Sequence, residues 1–175
     1  MKTTIDLCAP RGGLMCAITL LAGCAVAEET PSAWTMDTDP EVTWETVHVL
    51  SQPSTMAVLD ESGGEVTPIL SLRCTEGGGE ISMQIDWQRF ISSFNTEAGF
   101  KVDNGSRDWL KLGVDGSNKI TLSRSASDVS SLMDALGSGS TLNVEIAPYS
   151  EPSIFAEFDL AGFSASADAL KSACG

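Results

Sequence analysis

The stretch Ile81-Ser82-Met83-Gln84-Ile85-Asp86-Trp87 alternates strictly between apolar and polar residues. Successive side chains of a strand point to opposite faces, so this alternation predicts a strand with one buried and one solvated face. The run at 69–74 comes before it, with Leu70, Leu72 and Cys74 on one side. Because Gly77-Gly78-Gly79 lies between the two runs, we expect them to form an antiparallel hairpin.

Short strand-like runs continue on both sides of this hairpin. They occupy residues 33–37, 47–50, 56–59, 99–102, 109–114, 120–122, 141–148 and 154–160. Asp103-Asn104-Gly105 separates two of these runs, and Asn-Gly predicts a type I′ turn because both residues tolerate positive φ. We expect eight or so of these ten runs to form strands.

Two segments show helical rather than strand periodicity. Ser127 can cap a helix over 128–136, whose apolar residues recur at i, i+3, i+4 and i+7, with Gly137 behind it. Ser164 can cap a second short helix over 165–173. The predicted fold is thus mainly β, an antiparallel β-sandwich or barrel-like domain with two short helices, one of them C-terminal.

The N-terminus has the pattern of an export signal. Lys2 and Arg11 precede the uncharged run 14–22, which is too short for a permanent membrane span. Leu21-Ala22-Gly23-Cys24 matches a lipobox, which predicts a lipoprotein signal peptide at 1–23 and lipidation of Cys24. A cut after Ala27 is the alternative. We then expect a tether at 24–32 and a single periplasmic domain at 33–175, with Ala25 favouring the outer membrane.

The five cysteines sort by position along this plan. Cys8 and Cys16 leave with the signal and Cys24 carries the lipid, so Cys74 and Cys174 remain. Two leftover cysteines in an oxidising compartment usually form a disulfide. A pair of buried free thiols is the alternative.

The charge of the chain limits its partners. It carries 24 Asp and Glu against 10 Lys and Arg, a net charge of −14. Such a surface repels nucleic acids and anionic lipid headgroups, so nucleic-acid binding is excluded. Solubility is a simpler explanation of the acidity than an acidic recognition patch.

Few residues suggest catalysis or metal binding. His48 is the single histidine and lies in a strand-like run, and no nucleophile-elbow or zinc motif occurs. Asp37, Asp39 and Glu41 alternate and could face a calcium ion, although turn and capping roles are simpler. The sequence therefore predicts a protein that is not an enzyme and that needs no metal or cofactor.

The four tryptophans fall on separate strand-like runs. Trp87 belongs to the predicted core. Trp34, Trp44 and Trp109 are candidates for an exposed surface that binds a partner or a glycan.

Several segments together resemble the VasI/TagO family of type VI secretion-associated proteins. They are Trp34 with Asp39-Pro40, and the stretches 67–74, 81–87, 100–105 with Trp109, 142–149 and 156–163, followed by Leu170 and Ala173-Cys174. The resemblance covers about residues 33–174. It implies a periplasmic accessory protein of the secretion machine without enzymatic activity, and it supports pairing Cys74 with Cys174. The turn after Cys74 and the segment 52–64 depart from the family pattern.

The function predicted from these observations is that of a non-catalytic, lipid-anchored periplasmic accessory protein. It would bind protein components of the cell envelope or secretion machine, and it would contact the membrane through the lipid on Cys24. One alternative is a hydrolase that uses paired carboxylates, or a glycan-binding protein. Another is a small inhibitor that presents an acidic face to a basic partner.

Overall fold

The computed structural model describes residues 33–39, 44–123 and 125–175. The predicted signal peptide, Cys24 and the tether lie outside these residues, and so does Glu41.

Eleven strands and two helices make up the described chain. The strands are β1 Thr35–Thr38, β2 Val47–Pro53, β3 Val58–Leu59, β4 Glu65–Val66, β5 Ile69–Thr75, β6 Ser82–Asp86, β7 Thr96–Val102, β8 Arg107–Val114, β9 Ile120–Ser123, β10 Thr141–Ile146 and β11 Ile154–Asp159. The helices are α1 Ala126–Leu136 and α2 Phe163–Cys174. The predicted mainly-β class, with two helices of which one is C-terminal, is confirmed.

One antiparallel sheet contains nine of the strands, in the order β1-β2-β5-β6-β9-β8-β7-β10-β11. The β5–β6 hairpin predicted from alternation and glycines is present, with Leu72 opposite Met83. The remaining strands, β3 and β4, form a separate two-stranded ribbon. The ladder does not close on itself, so the fold is barrel-like without being a closed barrel.

Hydrogen bonds between distant segments nevertheless bring the two ends of the sheet together. The backbone N–H of Thr55, just after β2, donates to the carbonyl of Glu157 in β11 at 2.7 Å. The hydroxyl of Ser54 accepts from the N–H of Glu157 at 3.1 Å. The indole of Trp34, just before β1, donates to the carbonyl of Asp159 at 3.2 Å. The sheet therefore curls until its edges meet.

A single hydrophobic core lies on the inner face of this curled sheet. Alternate residues of the strands point into it, such as Leu142, Val144 and Ile146 of β10, which are fully buried. Both helices pack on the same core, through Val129, Met133 and Leu136 of α1 and through Phe163, Ala167 and Leu170 of α2. In strands such as β5, β6 and β10, whose alternate residues are buried, the apolar residues fix the register.

Both helices begin earlier than the sequence predicted. The N-cap of α1 is Ser125 rather than Ser127, and its hydroxyl accepts from the N–H of Asp128 at 3.2 Å. The cap of α2 is Gly162 at φ 76°, without a side-chain bond, so the predicted cap at Ser164 is wrong. Phe163 starts α2 because it is buried against Trp34, with ring centroids 4.9 Å apart.

The β7–β8 connection also differs from the predicted type I′ turn at Asn104-Gly105. Asp103 is the residue with positive φ there, at 48°, and the N–H of Gly105 donates to the carbonyl of Val102. The reason is tertiary, since the Asp103 carboxylate accepts hydrogen bonds from the N–H groups of Ser140 and Thr141. These bonds tie the turn to the start of β10.

Candidate functional site

The outer face of strands β8, β7 and β10 carries side chains that a soluble surface rarely displays. In β8, Leu112 points into the core while Trp109 and Lys111 point outward, and Trp109 is 54% exposed. Trp109 lies opposite Gly99 of β7, and Gly99 in turn lies opposite Glu145 of β10.

Gly99 lets two side chains lie flat on this face. A Cβ atom at residue 99 would come within 2.9 Å of Cγ of Arg107 and 3.1 Å of Cε2 of Trp109. Such distances are too short for ordinary contacts. The absence of a side chain at Gly99 is therefore what makes room for the Arg107 stem and the Trp109 indole.

Polar and aromatic groups fix the guanidinium of Arg107. It forms an ion pair with Glu145 at 2.9 Å. It also donates to the amide oxygen of Asn143 at 3.0 Å, and it lies 5.9 Å from the ring centroid of Phe155. Together these contacts hold the Arg107 guanidinium in one position, because the loss of any one of them leaves the others in place.

Trp109 lines an open groove of 690 Å³ on this face. The other lining residues come from the start of β7, the middle of β8 and the end of β10: Asn95, Thr96, Glu97, Lys111, Leu112, Gly113 and Ala147. Within this lining Glu97 is the single carboxylate, and it lies opposite Lys111 in the ladder. The described residues of the groove therefore do not supply the pair of facing acids that glycoside hydrolysis requires.

An exposed aromatic pair lies beside the groove along the chain. Phe94 directly precedes Asn95, and Tyr149 follows Ala147 by two residues. Their rings meet edge to face with centroids 6.2 Å apart. They are 66% and 63% exposed. We call Phe94, Trp109 and Tyr149 the aromatic face.

Two loops hold the aromatic pair in place. The N–H of Tyr149 donates to the carbonyl of Ile91 at 2.7 Å. Arg89, whose side chain is almost fully buried, forms an ion pair with Glu151 at 2.6 Å and donates to the carbonyl of Leu59. A buried arginine in the loop before Phe94 thus bonds to the loop that carries Tyr149, and this bond holds the aromatic pair in position.

The three tryptophans predicted as a partner surface separate in the structure. Trp34 is buried, at 7% exposure, because its indole packs on Phe163 and bonds to β11. The prediction that Trp34 lies on an exposed partner surface is therefore wrong. Trp44 is 79% exposed, next to residues 40–43 that the structure does not describe. Trp109 lies in the groove, and Trp44 is not among the groove residues. Trp87 is fully buried in the core.

Phe94 and Tyr149 are not among the contact residues predicted from the sequence. Both lie in loops, where hydrophobic periodicity gives no signal. The available signal was the presence of an aromatic residue in a polar loop, because the pattern of such a segment offers that residue no position in the core.

Cys74 and Cys174 form a disulfide, with Cα atoms 5.8 Å apart. It joins the end of β5 to the end of α2, and both cysteines are buried. In the same region, the N–H of Gly79 donates to the carbonyl of Cys174 at 3.3 Å. The C-terminal helix is thus joined to β5 by a covalent bond and to the β5–β6 turn by a hydrogen bond.

The described residues offer little for metal or membrane chemistry. No group of three His, Cys, Asp or Glu residues that could hold a metal ion occurs among them. Asp39 instead forms an ion pair with Arg73, and His48 is half-buried in β2 opposite Cys74. In the same part of the chain, neither helix is long and apolar enough to cross a bilayer.

Comparison with known proteins finds a fold relative and no family. No family model matches the chain, and neither does any curated protein. Among solved structures, the chain is similar to invasion associated protein B from Bartonella henselae, with 17% identity, a TM-score of 0.51, and coverage of 82% of this chain and 95% of that chain. Identity this low shows a shared fold alone. The resemblance to VasI/TagO proteins stays a prediction.

Proposed function

We propose that this chain is a non-catalytic accessory protein of the bacterial cell envelope that binds another protein through its aromatic face. The observation that carries the proposal is the exposure of Trp109 in the groove and of Phe94 and Tyr149 in the segments next to it. Large aromatic residues lose little entropy on binding and dominate the energetics of protein interfaces. A type VI secretion machine is the proposed setting, and its basis is the VasI/TagO resemblance.

Charge also favours this face as the point of contact. In a chain of net charge −14, three of the ten basic residues, Lys101, Arg107 and Lys111, are on β7 and β8 beside the groove. Glu97 and Glu145 lie on the same face, so its charge is nearly balanced. An acidic protein is therefore repelled less here than by the acidic remainder of the surface. The partner we propose presents an apolar side chain for the groove beside Trp109 and a carboxylate for Lys111.

Export to the periplasm and a lipid on Cys24 are part of the same proposal. The lipobox and the n-region of the sequence support them. The disulfide between Cys74 and Cys174 is consistent with an oxidising compartment. Palmitate labelling of the wild type and of Cys24→Ser tests the anchor, and equal labelling of the two would contradict it.

A glycan is the second candidate for the groove. The flat Trp109 indole beside Glu97, Asn95 and Lys111 offers a stacking surface with polar neighbours, as sugar-binding sites do. With one carboxylate in the groove, the sugar would be bound rather than cleaved.

Site-specific photo-crosslinking in cells tests the interaction directly. A photoreactive residue at Asn95 or Lys111, both groove residues, should yield one dominant protein adduct. The same residue at Ser62, in the exposed β3–β4 turn, should not. Trp109→Ser should remove the adduct, whereas Trp44→Ser, which removes another exposed tryptophan, should leave it unchanged.

Two outcomes would contradict protein binding at this face. One is adduct formation from Ser62 at the same level as from Lys111. The other is an adduct that survives Trp109→Ser while the variant keeps its thermal stability. Binding of soluble envelope glycans that is lost in Trp109→Ser, in the absence of a protein adduct, would favour the glycan candidate instead.

A further inference from the structure

A second groove lies between the inner side of the β7–β8 hairpin and α1, because α1 does not cover this part of the hairpin. Its volume is 380 Å³. Its lining combines apolar side chains with two carboxylates: Phe100, Val102, Gly105, Ser106, Asp108, Leu110, Asp128, Ser131, Leu132 and Ala135.

The groove exists because α1 leans away from the hairpin. The helix contacts β6, β9 and α2 and buries Val129, Met133 and Leu136 there. Asp128, Ser131, Leu132 and Ala135 are spaced i, i+3, i+4 and i+7, so they form one stripe along the helix. This stripe faces the hairpin across the groove.

Asp108 breaks the pattern of its own strand. Leu110 and Leu112 follow it at intervals of two, so all three lie on the inner face of β8. Asp108 is opposite Phe100, a buried core residue. Asp108 is itself exposed, so its carboxylate lies at the open rim of the groove, where a ligand can reach it.

Among the described residues, neither carboxylate of the groove takes part in an ion pair. The ion pairs found in the described chain are those of Arg73, Arg89 and Arg107, and none involves Asp108 or Asp128. The described residues that line the groove include no lysine or arginine. The site therefore combines an apolar floor with two carboxylates, Asp108 on the strand wall and Asp128 in the first turn of α1 on the helix wall.

We propose that this groove binds an amphiphilic cation, an alkyl chain that carries one primary amine. The chain would lie on Phe100, Leu110 and Leu132, and the ammonium group would lie between the carboxylates of Asp108 and Asp128. The volume falls at the lower end of the range for small-molecule sites. The groove is on the opposite face of β7 and β8 from the aromatic face, so the proposal does not depend on the proposed protein interaction.

Titration of octylammonium into the ¹⁵N-labelled protein tests the site. We expect saturable amide shifts confined to α1 and the β7–β8 hairpin. Affinity should fall about fourfold for each CH₂ removed from the chain. Octanoate, which has a similar chain with a negative head group, should not shift these amides at the same concentrations.

Charge variants separate a specific site from general attraction to an acidic protein. Asp108→Asn and Asp128→Asn should each weaken octylammonium binding about fivefold, the effect of one nearby charge in water. Asp134→Asn removes an exposed charge from the same helix outside the groove and should leave affinity unchanged. Ala135→Phe should block binding by filling the groove from a surface position of α1, without disturbing the core.

Three results would overturn the proposal. They are the absence of saturable shifts, binding of octanoate as tight as that of octylammonium, and a loss of affinity in Asp134→Asn equal to that in Asp108→Asn. If Asp108→Asn has lower thermal stability than the wild type, Ala135→Phe with an unchanged spectrum outside α1 decides the question.

Discussion

The aliphatic stem of Arg107 lies directly over Gly99, with its Cδ atom 2.6 Å from the point that a Cβ atom of residue 99 would occupy. The carbonyl of Gly99 also accepts from this guanidinium, at 3.4 Å. The position of Arg107, and with it the edge of the groove beside Trp109, is therefore determined by the smallest residue of β7.

Gly99→Ala should destabilise the protein although alanine is the better strand residue. The new methyl group must displace Arg107, which costs about 1–3 kcal/mol as an overpacked contact. Urea unfolding measures the change in the free energy of unfolding. Gly116→Ala is the matched control, because nothing lies within 4 Å of its Cβ position, and equal stability of the two variants would disprove the explanation.

Removing the disulfide should lower stability strongly. Cys74→Ser with Cys174→Ser frees a loop with a sequence separation of 100 residues, and loss of a native bridge typically costs about 2–5 kcal/mol. We expect the unreduced wild type to unfold at higher urea concentration than the double variant, and the reduced wild type to match the variant. Coincident unfolding curves for the oxidised wild type and the variant would show that the bridge contributes nothing.

Thr121→Val should destabilise the core despite preserving its shape. The indole N–H of Trp87 donates to the hydroxyl of Thr121 at 3.0 Å, and both residues are fully buried. An unsatisfied buried donor costs about 1–3 kcal/mol. In a double-mutant cycle with Trp87→Phe the substitution should cost much less, and additive losses would argue against the bond.

Asp60 should make stability depend on acid pH. Its carboxylate accepts from the Ser62 hydroxyl at 2.7 Å and from the N–H of Gly64 at 2.8 Å. These bonds to Ser62 and Gly64 lower the pKa of Asp60 below its ordinary value of 3.8. A lowered folded-state pKa stabilises the protein fully above the unfolded-state value and loses that effect as pH falls through the folded-state value.

The urea midpoint of Asp60→Ala should therefore be lower than that of the wild type at neutral pH. The difference between the two urea midpoints should narrow once the pH falls below 3.8. Glu76→Ala, at another exposed acid in a turn, serves as the control. A gap that stays constant with pH would mean that the charge of Asp60 is not what stabilises the turn.

The strands could be predicted where one face is buried and the other solvated. The alternation in β6 and β10 is visible in the sequence because each strand alternates between core and surface. β4 was missed because two residues, Glu65 and Val66, carry no period. The cap of α1 was misassigned because Ser125 and Ser127 are equivalent as local signals. The cap of α2 was misassigned because no local signal favours Gly162 over Ser164. Core packing decides both positions.

The candidate site could be predicted only in part. Trp109 was identified as a possible contact because it is a tryptophan in an alternating strand. The burial of Trp34 depends on β11 and α2, more than 100 residues away, with a separation of 125 residues in the hydrogen bond to Asp159. Phe94 and Tyr149 also meet through tertiary structure alone.

The bonds that Ser54 and Thr55 make to Glu157 have a consequence for how copies of this protein can associate. They occupy the outward backbone groups at the centre of β11, where another strand would otherwise add to the sheet. A second chain cannot extend the sheet past this strand without breaking them. Growth of a continuous intermolecular sheet, as in a fibril, is therefore blocked at the β11 edge, because such a sheet needs unpaired strands at both of its edges.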